Sequence, residues 1–175
     1  MRLRKLRNRN MVQTKVKRHR QDFMNDEGVV VPTETTTHIY GLFGKYRALS
    51  NFHEEPVAID GLVFQTSEAA YMSRKTHDPA EKFQLTLLAK GSDAKKYGQT
   101  VTLREDWEEV KVEEMYEVLL AKFTQSLPLR ELLLSTGNKI IEETNWWGDI
   151  FWGVCGGIGQ NQLGQCLMRV RDQLQ

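Results

Sequence analysis

Two short apolar runs on either side of an Asp-Gly pair give the clearest local signal in the chain. Residues 57–59 and 62–64 are apolar and flank Asp60-Gly61. An Asp-Gly pair accepts the positive φ angles that a two-residue hairpin loop requires. The pattern therefore predicts a β-hairpin over residues 56–64.

Helix signals follow the hairpin along the rest of the chain. Thr66 and Asp78 are residue types whose side chains cap helix N-termini, and Pro79 suits the first position of a helix. Apolar residues recur at spacings of three and four in the two longest segments. The predicted helices run from Thr66 to about Lys75, from Asp78 to Gly91, from Ser92 to Gly98, from Asp106 to about Phe123, over residues 129–135 and from Asn161 to Leu174. We therefore expect an α+β fold, a compact and predominantly helical single domain with a small N-terminal β-hairpin or sheet.

The first 36 residues lack any sustained period and are predicted to be a basic, flexible arm, with the folded domain over residues 37–175. Residues 1–20 hold nine basic side chains and no acidic one, so residues 21–175 carry a net charge of −8 within a total of +1. The arm allows three interpretations: a tether for nucleic-acid phosphates, a solvated tail without a partner, or an organellar transit peptide.

Composition excludes several classes of protein. No apolar run approaches the roughly 18 residues of a membrane-spanning helix, and the start of the chain is too charged for a secretory signal. The two cysteines, Cys155 and Cys166, are too few for a disulfide scaffold and lack the spacing of a zinc site. We expect a cytoplasmic protein with no membrane partner.

The region from Asn145 to Gly159 is the most unusual in composition, because aromatic residues surround Asp149 before a glycine-rich stretch. Aromatic rings can stack on a base or sugar, and cleavage of a ribose-to-nitrogen bond requires a carboxylate that stabilises positive charge or activates water. Asp149 is one candidate and Glu68 is the second. Each also has a plain structural interpretation, as a turn residue and as a solvated first-turn acid. Trp107 either faces a cleft or fills the core.

Seven fragments agree in order and spacing with one known family between about residues 38 and 172. They are Ser50-Asn51-Phe52 with the hairpin at Asp60-Gly61, Phe64-Gln65-Thr66-Ser67-Glu68-Ala69-Ala70-Tyr71, Arg104-x-Asp106-Trp107-Glu108-x-Val110-Lys111 with Met115, Lys122-Phe123, Leu133-x-x-Thr136-Gly137, Asp149-x-x-Trp152-Gly153, and Gly159-x-Asn161-x-Leu163-Gly164 with Leu167, Met168, Val170 and Arg171. Together they resemble the NADAR, or YbiA-like, family. The basic arm lies outside the resemblance.

The resemblance implies an α+β enzyme that hydrolyses N-glycosidic bonds of ribose-phosphate compounds without a metal or other cofactor. Some relatives cleave ribosylamino-pyrimidine intermediates of riboflavin synthesis, and others remove ADP-ribose from modified guanine in nucleic acid. It also implies Glu68, Asp149, Trp107 and Trp152 as site residues, which we predict to be catalytic. We further predict that the substrate-binding residues are Asn51, Phe52, Arg47, Tyr71, Lys75 and Asn161. Lys45 and Arg74 are further candidates for phosphate contacts.

Two departures from the family pattern bear on the substrate. Many relatives have Glu-His-Tyr-Phe-Gln where this chain has residues 68–72, Glu-Ala-Ala-Tyr-Met, and a turn with proline and tyrosine where this chain has residues 145–148, Asn-Trp-Trp-Gly.

We expect a metal-independent N-glycosidase that removes ADP-ribose from guanine in nucleic acid, recruited through residues 1–20. The alternatives are action on riboflavin-pathway intermediates, a non-catalytic ADP-ribose or nucleotide-binding module, and a nucleic-acid-binding protein whose body positions the arm.

Overall fold

The computed structural model describes residues 20–24 and 32–175. The α-helices are α1 (Ser67–Ser73), α2 (Pro79–Thr86), α3 (Gly91–Tyr97), α4 (Trp107–Gln125), α5 (Leu127–Ser135) and α6 (Gln162–Leu174). The strands are β1 (Thr33–Glu34), β2 (His38–Tyr40), β3 (Glu54–Ile59), β4 (Leu62–Thr66), β5 (Ile140–Glu142), β6 (Thr144–Asn145) and β7 (Val154–Cys155). Two 3-10 helices, Arg20–Phe23 and Gly44–Leu49, complete the described elements. The mixed, mainly helical composition confirms the predicted α+β class.

The predicted hairpin is present as the antiparallel pair β3 and β4. Asp60 and Gly61 both have positive φ angles, 52° and 77°, as a two-residue loop of this kind requires. Val57 pairs with Phe64, and both side chains are buried in the core. The pairing extends back to Glu54 across a register shift.

The starts of α1 and α2 follow the predicted caps Thr66 and Asp78, but the end of α2 differs from the prediction. The Asp78 side chain accepts hydrogen bonds from the amides of Ala80 and Glu81 at the start of α2. We predicted that α2 would end at Gly91, whereas it ends at Thr86 and Gly91 begins α3. A Cβ atom at Gly91 would lie 3.0 Å from the Phe52 ring and 3.1 Å from the Phe52 Cα. The glycine therefore permits close packing rather than helix termination.

The helix α1 lies at the centre of the fold, and every one of its seven residues is buried. It packs against α2, α3, α4 and the hairpin, while α4 also packs against α6 and β3. The fully buried side chains include Leu49, Phe64, Leu119, Phe123, Leu133 and Leu167. Burial on all sides explains why α1 shows no amphipathic pattern in the sequence.

The N-terminal boundary of the folded body needs correction. Thr33–Glu34 pairs antiparallel with β2, which pairs in parallel with β5. Phe23 is 1% exposed, and its ring lies 5.9 Å from that of Phe43. Residues 20–24 and 32–36 therefore belong to the body and not to a flexible arm. The rest of the predicted arm, residues 1–19 and 25–31, lies outside the described residues.

Glu34 explains part of this anchoring. Its carboxylate forms ion pairs with Lys139 and Lys45, which together lower the pKa of Glu34 to about 2.

Across residues 20–24 and 32–175, no helix combines the length and apolar character that crossing a membrane requires.

Candidate active site

A cavity of about 500 Å³ lies between α1, α3, the loop after the Gly44–Leu49 helix and the segment that joins β5 to α6. Among the described residues, its lining includes three carboxylates, two cations and five aromatic side chains. They are Glu68, Glu143 and Asp149, then Arg47 and Lys95, then Phe43, Phe52, Tyr71, Trp147 and Trp152. The cavity thus combines acid groups, positive charge and flat apolar surfaces in one place.

Seven of the ten predicted site residues line this cavity. They are Glu68, Asp149, Trp152, Asn51, Phe52, Arg47 and Tyr71. The other three, Trp107, Lys75 and Asn161, do not line it. Glu68 and Asp149 lie 81 positions apart in the chain, so the fold brings two distant acids to one cavity.

Glu68 is buried in the first turn of α1 and is not a solvated acid, with 6% of the residue exposed. The Thr66 side chain caps this turn by accepting from the Ala69 amide at 3.1 Å, and the Glu68 amide donates to the Asn51 carbonyl at 3.0 Å. Burial raises the pKa of Glu68 to about 7, although Lys95, with Asn51 and Lys75, acts in the opposite direction. The carboxyl can therefore gain or lose a proton near neutral pH.

Asp149 both lines the cavity and orders the loop around it. Its Oδ1 accepts the amide hydrogens of Phe151 at 3.1 Å and Trp152 at 2.9 Å. Asn145 closes the same turn, because its side chain donates to the Asp149 carbonyl and accepts from the Asp149 amide. One carboxylate oxygen of Asp149 is thus occupied by the backbone.

Trp107 supports the cavity from behind. It is 6% exposed and packs in the core, with its ring 5.3 Å from that of Tyr71. Tyr71 in turn contacts Trp152 in an edge-to-face arrangement at 5.5 Å. Trp107 therefore positions two aromatic walls of the cavity without lining it.

Lys75 and Asn161 hold backbone groups instead of facing the cavity. The Lys75 ammonium donates to the Gly98 carbonyl, and burial lowers the pKa of Lys75. Asn161 has a positive φ of 56°; its side chain accepts from the Glu143 amide at 3.0 Å and donates to the Ile141 carbonyl at 2.9 Å. Asn161 thus fixes the backbone of a cavity acid.

Glu143 is a cavity residue that the sequence did not reveal. It follows β5 directly, and its Oε2 is removed from solvent with no hydrogen-bond partner in the part of the chain that the structure describes. Burial, followed by the negative charge of Asp149, raises the pKa of Glu143 to about 8. In the sequence, Glu142-Glu143 after two isoleucines has the pattern of an ordinary exposed strand end, so no signal distinguished it.

Two cations line the cavity without acidic partners. Arg47 donates to the Ser50 hydroxyl and to the Phe52 carbonyl, both at 3.4 Å, and Lys95 lies 5.9 Å from the centre of the Phe52 ring. Neither forms an ion pair within the described part of the chain. Lys95 was missed in the sequence because a lysine on a short polar helix usually faces solvent.

The other proposed phosphate ligands are occupied. Lys45 pairs with Glu34, while Arg74 pairs with Asp60 and Glu114. These two side chains therefore carry structural ion pairs and do not line the cavity.

A row of aromatic rings forms one side of the cavity mouth. Trp147 lines the cavity with 53% of the residue exposed, and its ring lies 5.3 Å from that of Trp146. Trp146 packs against Phe43 at 5.3 Å, and Phe43 packs against Phe23. The row leads from the Arg20–Phe23 helix to the cavity.

No group of three or more His, Cys, Asp or Glu side chains within residues 20–24 and 32–175 is arranged to hold a metal ion.

Comparisons with known proteins agree with the predicted resemblance. The family profile described as NADAR domain matches residues 35–175. N-glycosidase YbiA of Escherichia coli (strain K12) is 35% identical over 148 residues, which cover 82% of this chain and 91% of that protein. An N-glycosidase of Nostoc punctiforme is 34% identical, with 79% and 92% covered. The NMR structure of E. coli YbiA superposes with a TM-score of 0.71 at 34% identity, covering 81% of this chain and 87% of that one.

Proposed function

Because the chain belongs to the NADAR family and its relatives are N-glycosidases, it is a hydrolase of N-glycosyl compounds, and we propose that its substrate is ADP-ribose linked to guanine in nucleic acid. The supporting observation is the single cavity that joins the acids Glu68 and Asp149 to the unpaired cations Arg47 and Lys95. A ribose-phosphate compound needs both kinds of group.

The two ends of such a substrate have different electrostatic needs. Phosphate oxygens are stabilised by cations, and within the described residues neither Arg47 nor Lys95 is held in an ion pair. The sugar carbon develops positive charge as its bond to nitrogen breaks, so a carboxylate beside it is stabilising. A volume of about 500 Å³ is within the usual range for a small-molecule site.

Glu68 is the acid that we assign to water activation. Its pKa of about 7 makes a substantial fraction ionised at neutral pH, while its buried position keeps bulk solvent away from the reacting carbon. Asp149 holds the loop with one oxygen and offers the other oxygen to ribose hydroxyls. Trp152 and Tyr71 supply the apolar wall beside the sugar.

The N-terminal charge favours nucleic acid over a free metabolite. An acidic body repels polyanions, and the nine basic residues in positions 1–20 oppose that repulsion. Eight of them precede the Arg20–Phe23 helix and the ninth, Arg20, begins it; Phe23 of this helix packs on Phe43 in the cavity wall. The recruiting charge is thus joined to the body beside the proposed site.

The test is product analysis with the purified full chain and a guanine oligonucleotide that carries ADP-ribose. We expect release of free ADP-ribose, and a loss of about 10²- to 10⁴-fold in kcat for Glu68→Gln, the range for removal of an acid-base group. Glu114→Gln, an acid in the Arg74 and Arg104 ion-pair network outside the cavity, is the control. Wild-type turnover by the Glu68 variant would reject the proposed site.

A second substrate class has its own support. A Vibrio vulnificus riboflavin biosynthesis protein is 33% identical over 140 residues, which make up 35% of that protein. Ribosylamino-pyrimidines are therefore the alternative, assayed in parallel with the oligonucleotide. Saturable ADP-ribose binding with no product from either substrate would instead indicate a non-catalytic binding module, and strong binding to unmodified duplex without a response to ADP-ribose would indicate a nucleic-acid-binding protein.

A further inference from the structure

We propose that Glu143 is the general acid of the reaction, donating a proton to the nitrogen that leaves the ribose; this inference rests on the N-glycosidase activity above. Glu143 lines the same cavity as Glu68 and Asp149. Its Oε2 is buried and has no hydrogen-bond partner among residues 20–24 and 32–175, and Asn161 accepts from its backbone amide at 3.0 Å. A buried polar atom with no partner carries a cost in stability, which a hydrogen bond from this carboxyl to a ligand in the cavity would relieve.

The surroundings distinguish Glu68 from Glu143. Asp149 accepts two amide hydrogens on Oδ1, so that oxygen is held by the loop backbone. Glu68 has Lys95, Asn51 and Lys75 to stabilise its negative charge. Glu143 is disfavoured as an anion by burial and by the charges of Asp149 and Glu68, which outweigh the opposing effects of Arg47 and Lys95. With a pKa of about 8, Glu143 is mostly protonated at neutral pH, as a proton donor must be.

The step balances without any further reactant. The bond from the ribose carbon to nitrogen breaks, and its electron pair remains on nitrogen, which takes the proton of the Glu143 carboxyl. Water adds its oxygen to the ribose carbon, and its proton passes to the Glu68 carboxylate. The products are the nucleic acid with its guanine restored and free ADP-ribose, which carries the new hydroxyl on its ribose carbon. Glu143 then takes up a proton from solvent, and Glu68 releases its proton to solvent.

The experiment compares the full-length wild type with Glu143→Gln on ADP-ribosylated guanine oligonucleotide across pH 6–10. We expect a decline in wild-type kcat/KM as pH rises through about 8, because Glu143 loses its proton there. The variant should lose about 10²- to 10⁴-fold in kcat at neutral pH and lack that alkaline decline in its residual activity. Binding of the product ADP-ribose, measured by calorimetry, should change by less than threefold, which establishes that the variant is folded.

The matched control is Glu142→Gln, the same change one residue earlier. Glu142 accepts from the Thr144 hydroxyl and does not line the cavity, so its kcat and pH profile should match the wild type. Full activity of Glu143→Gln, an unchanged alkaline decline in the variant, or a wild-type profile that is flat to pH 10 would each overturn the assignment. If the wild type cleaves none of the ribosyl substrates, the proposed function fails instead, and the two failures are thereby distinguished.

Discussion

At the scale of single residues, Asp149 combines two tasks that a substitution can separate. Its Oδ1 holds the Phe151 and Trp152 amides, while the side chain also faces the cavity. An amide side chain can still accept both hydrogen bonds, but it carries no negative charge. An alanine side chain carries no negative charge either, and it cannot accept the two hydrogen bonds.

We therefore predict different outcomes for Asp149→Asn and Asp149→Ala. Both should lower kcat, because the charge beside the ribose is lost. Only alanine should also reduce the free energy of unfolding, by about 1–2 kcal/mol, the usual effect of removing a side-chain cap. Denaturant titration and steady-state kinetics on the same preparations give the two quantities. Equal destabilisation by both variants would mean that the Oδ1 contacts do not stabilise the loop.

The residues also differ in how far the sequence could identify them. Glu68 and Asp149 occur within motifs that resemble a known family, and both reach the cavity. Trp107 belongs to a matching motif as well, yet it is a core residue, because motif position does not distinguish a wall from its support. Glu143 and Lys95 gave no signal, since their roles depend on burial and on missing partners, which only packing decides.

At the scale of elements, the segment between β6 and β7 forms the exposed rim of the cavity. Trp147 has an exposed face there, and Trp146 and Phe43 stack behind it. A flat, exposed ring at a cavity mouth can stack on the base that is attached to the sugar. The paired tryptophans therefore bear on which leaving group the enzyme accepts.

Trp147→Ala should raise KM for the ADP-ribosylated oligonucleotide about tenfold, within the 1–3 kcal/mol expected for one base stacked on an aromatic ring. The value of kcat should change little, because the ring does not touch the reacting carbon. Ile150→Ala, a change at an exposed apolar residue that does not line the cavity, is the control. A fall in kcat at constant KM would contradict a stacking role.

The sequence predicted the elements that are determined by residues close together in the chain. The hairpin and the starts of α1 and α2 follow from Asp60-Gly61, Thr66 and Asp78. The strands β1, β2 and β5 were missed because they are two or three residues long and because His38 pairs with Ile140, about 100 positions away. A parallel pair of this separation leaves no alternation for a sequence pattern to detect.

At the scale of the whole molecule, charge burial makes stability depend on pH. Burial raises the pKa values of Glu68 and Glu143 to about 7 and about 8, from 4.5 in the unfolded chain. The folded state therefore binds more protons, and its stability declines as pH rises from about 5 to 7. The pKa of Lys122 is shifted in the opposite direction, down to about 7. Above that pH the folded state gives up the Lys122 proton before the unfolded chain does, so Lys122 makes the free energy of unfolding rise with pH there.

We predict that the double variant Glu68→Gln with Glu143→Gln has a flatter profile over this range. Each carboxyl should account for about 2–3 kcal/mol of the decline between pH 5 and 7, at about 1.4 kcal/mol per pKa unit. Urea titrations at several pH values supply the measurement. Glu142→Gln should keep the wild-type dependence of the free energy of unfolding on pH. An unchanged dependence in the double variant would mean that folding does not raise the pKa of either carboxyl.

The charge asymmetry gives a second prediction at this scale. Deleting residues 1–20 should weaken binding to ADP-ribosylated DNA and reduce the dependence of affinity on salt, because counterion release scales with the phosphates contacted. An arm of equal length with all nine basic residues changed to glutamine separates charge from chain length. If the truncated chain binds as tightly as the full chain at every salt concentration, recruitment does not involve this segment.

The complete burial of α1 has a consequence for how this enzyme can change. Glu68 belongs to a helix whose seven residues are all buried, and its amide donates to the Asn51 carbonyl, so we expect slow hydrogen exchange at that amide. A substitution that displaces this helix would disturb the core packed around it, whereas Trp147 can change on the exposed rim. We therefore expect substrate preference in such an enzyme to vary more readily at the rim than at Glu68.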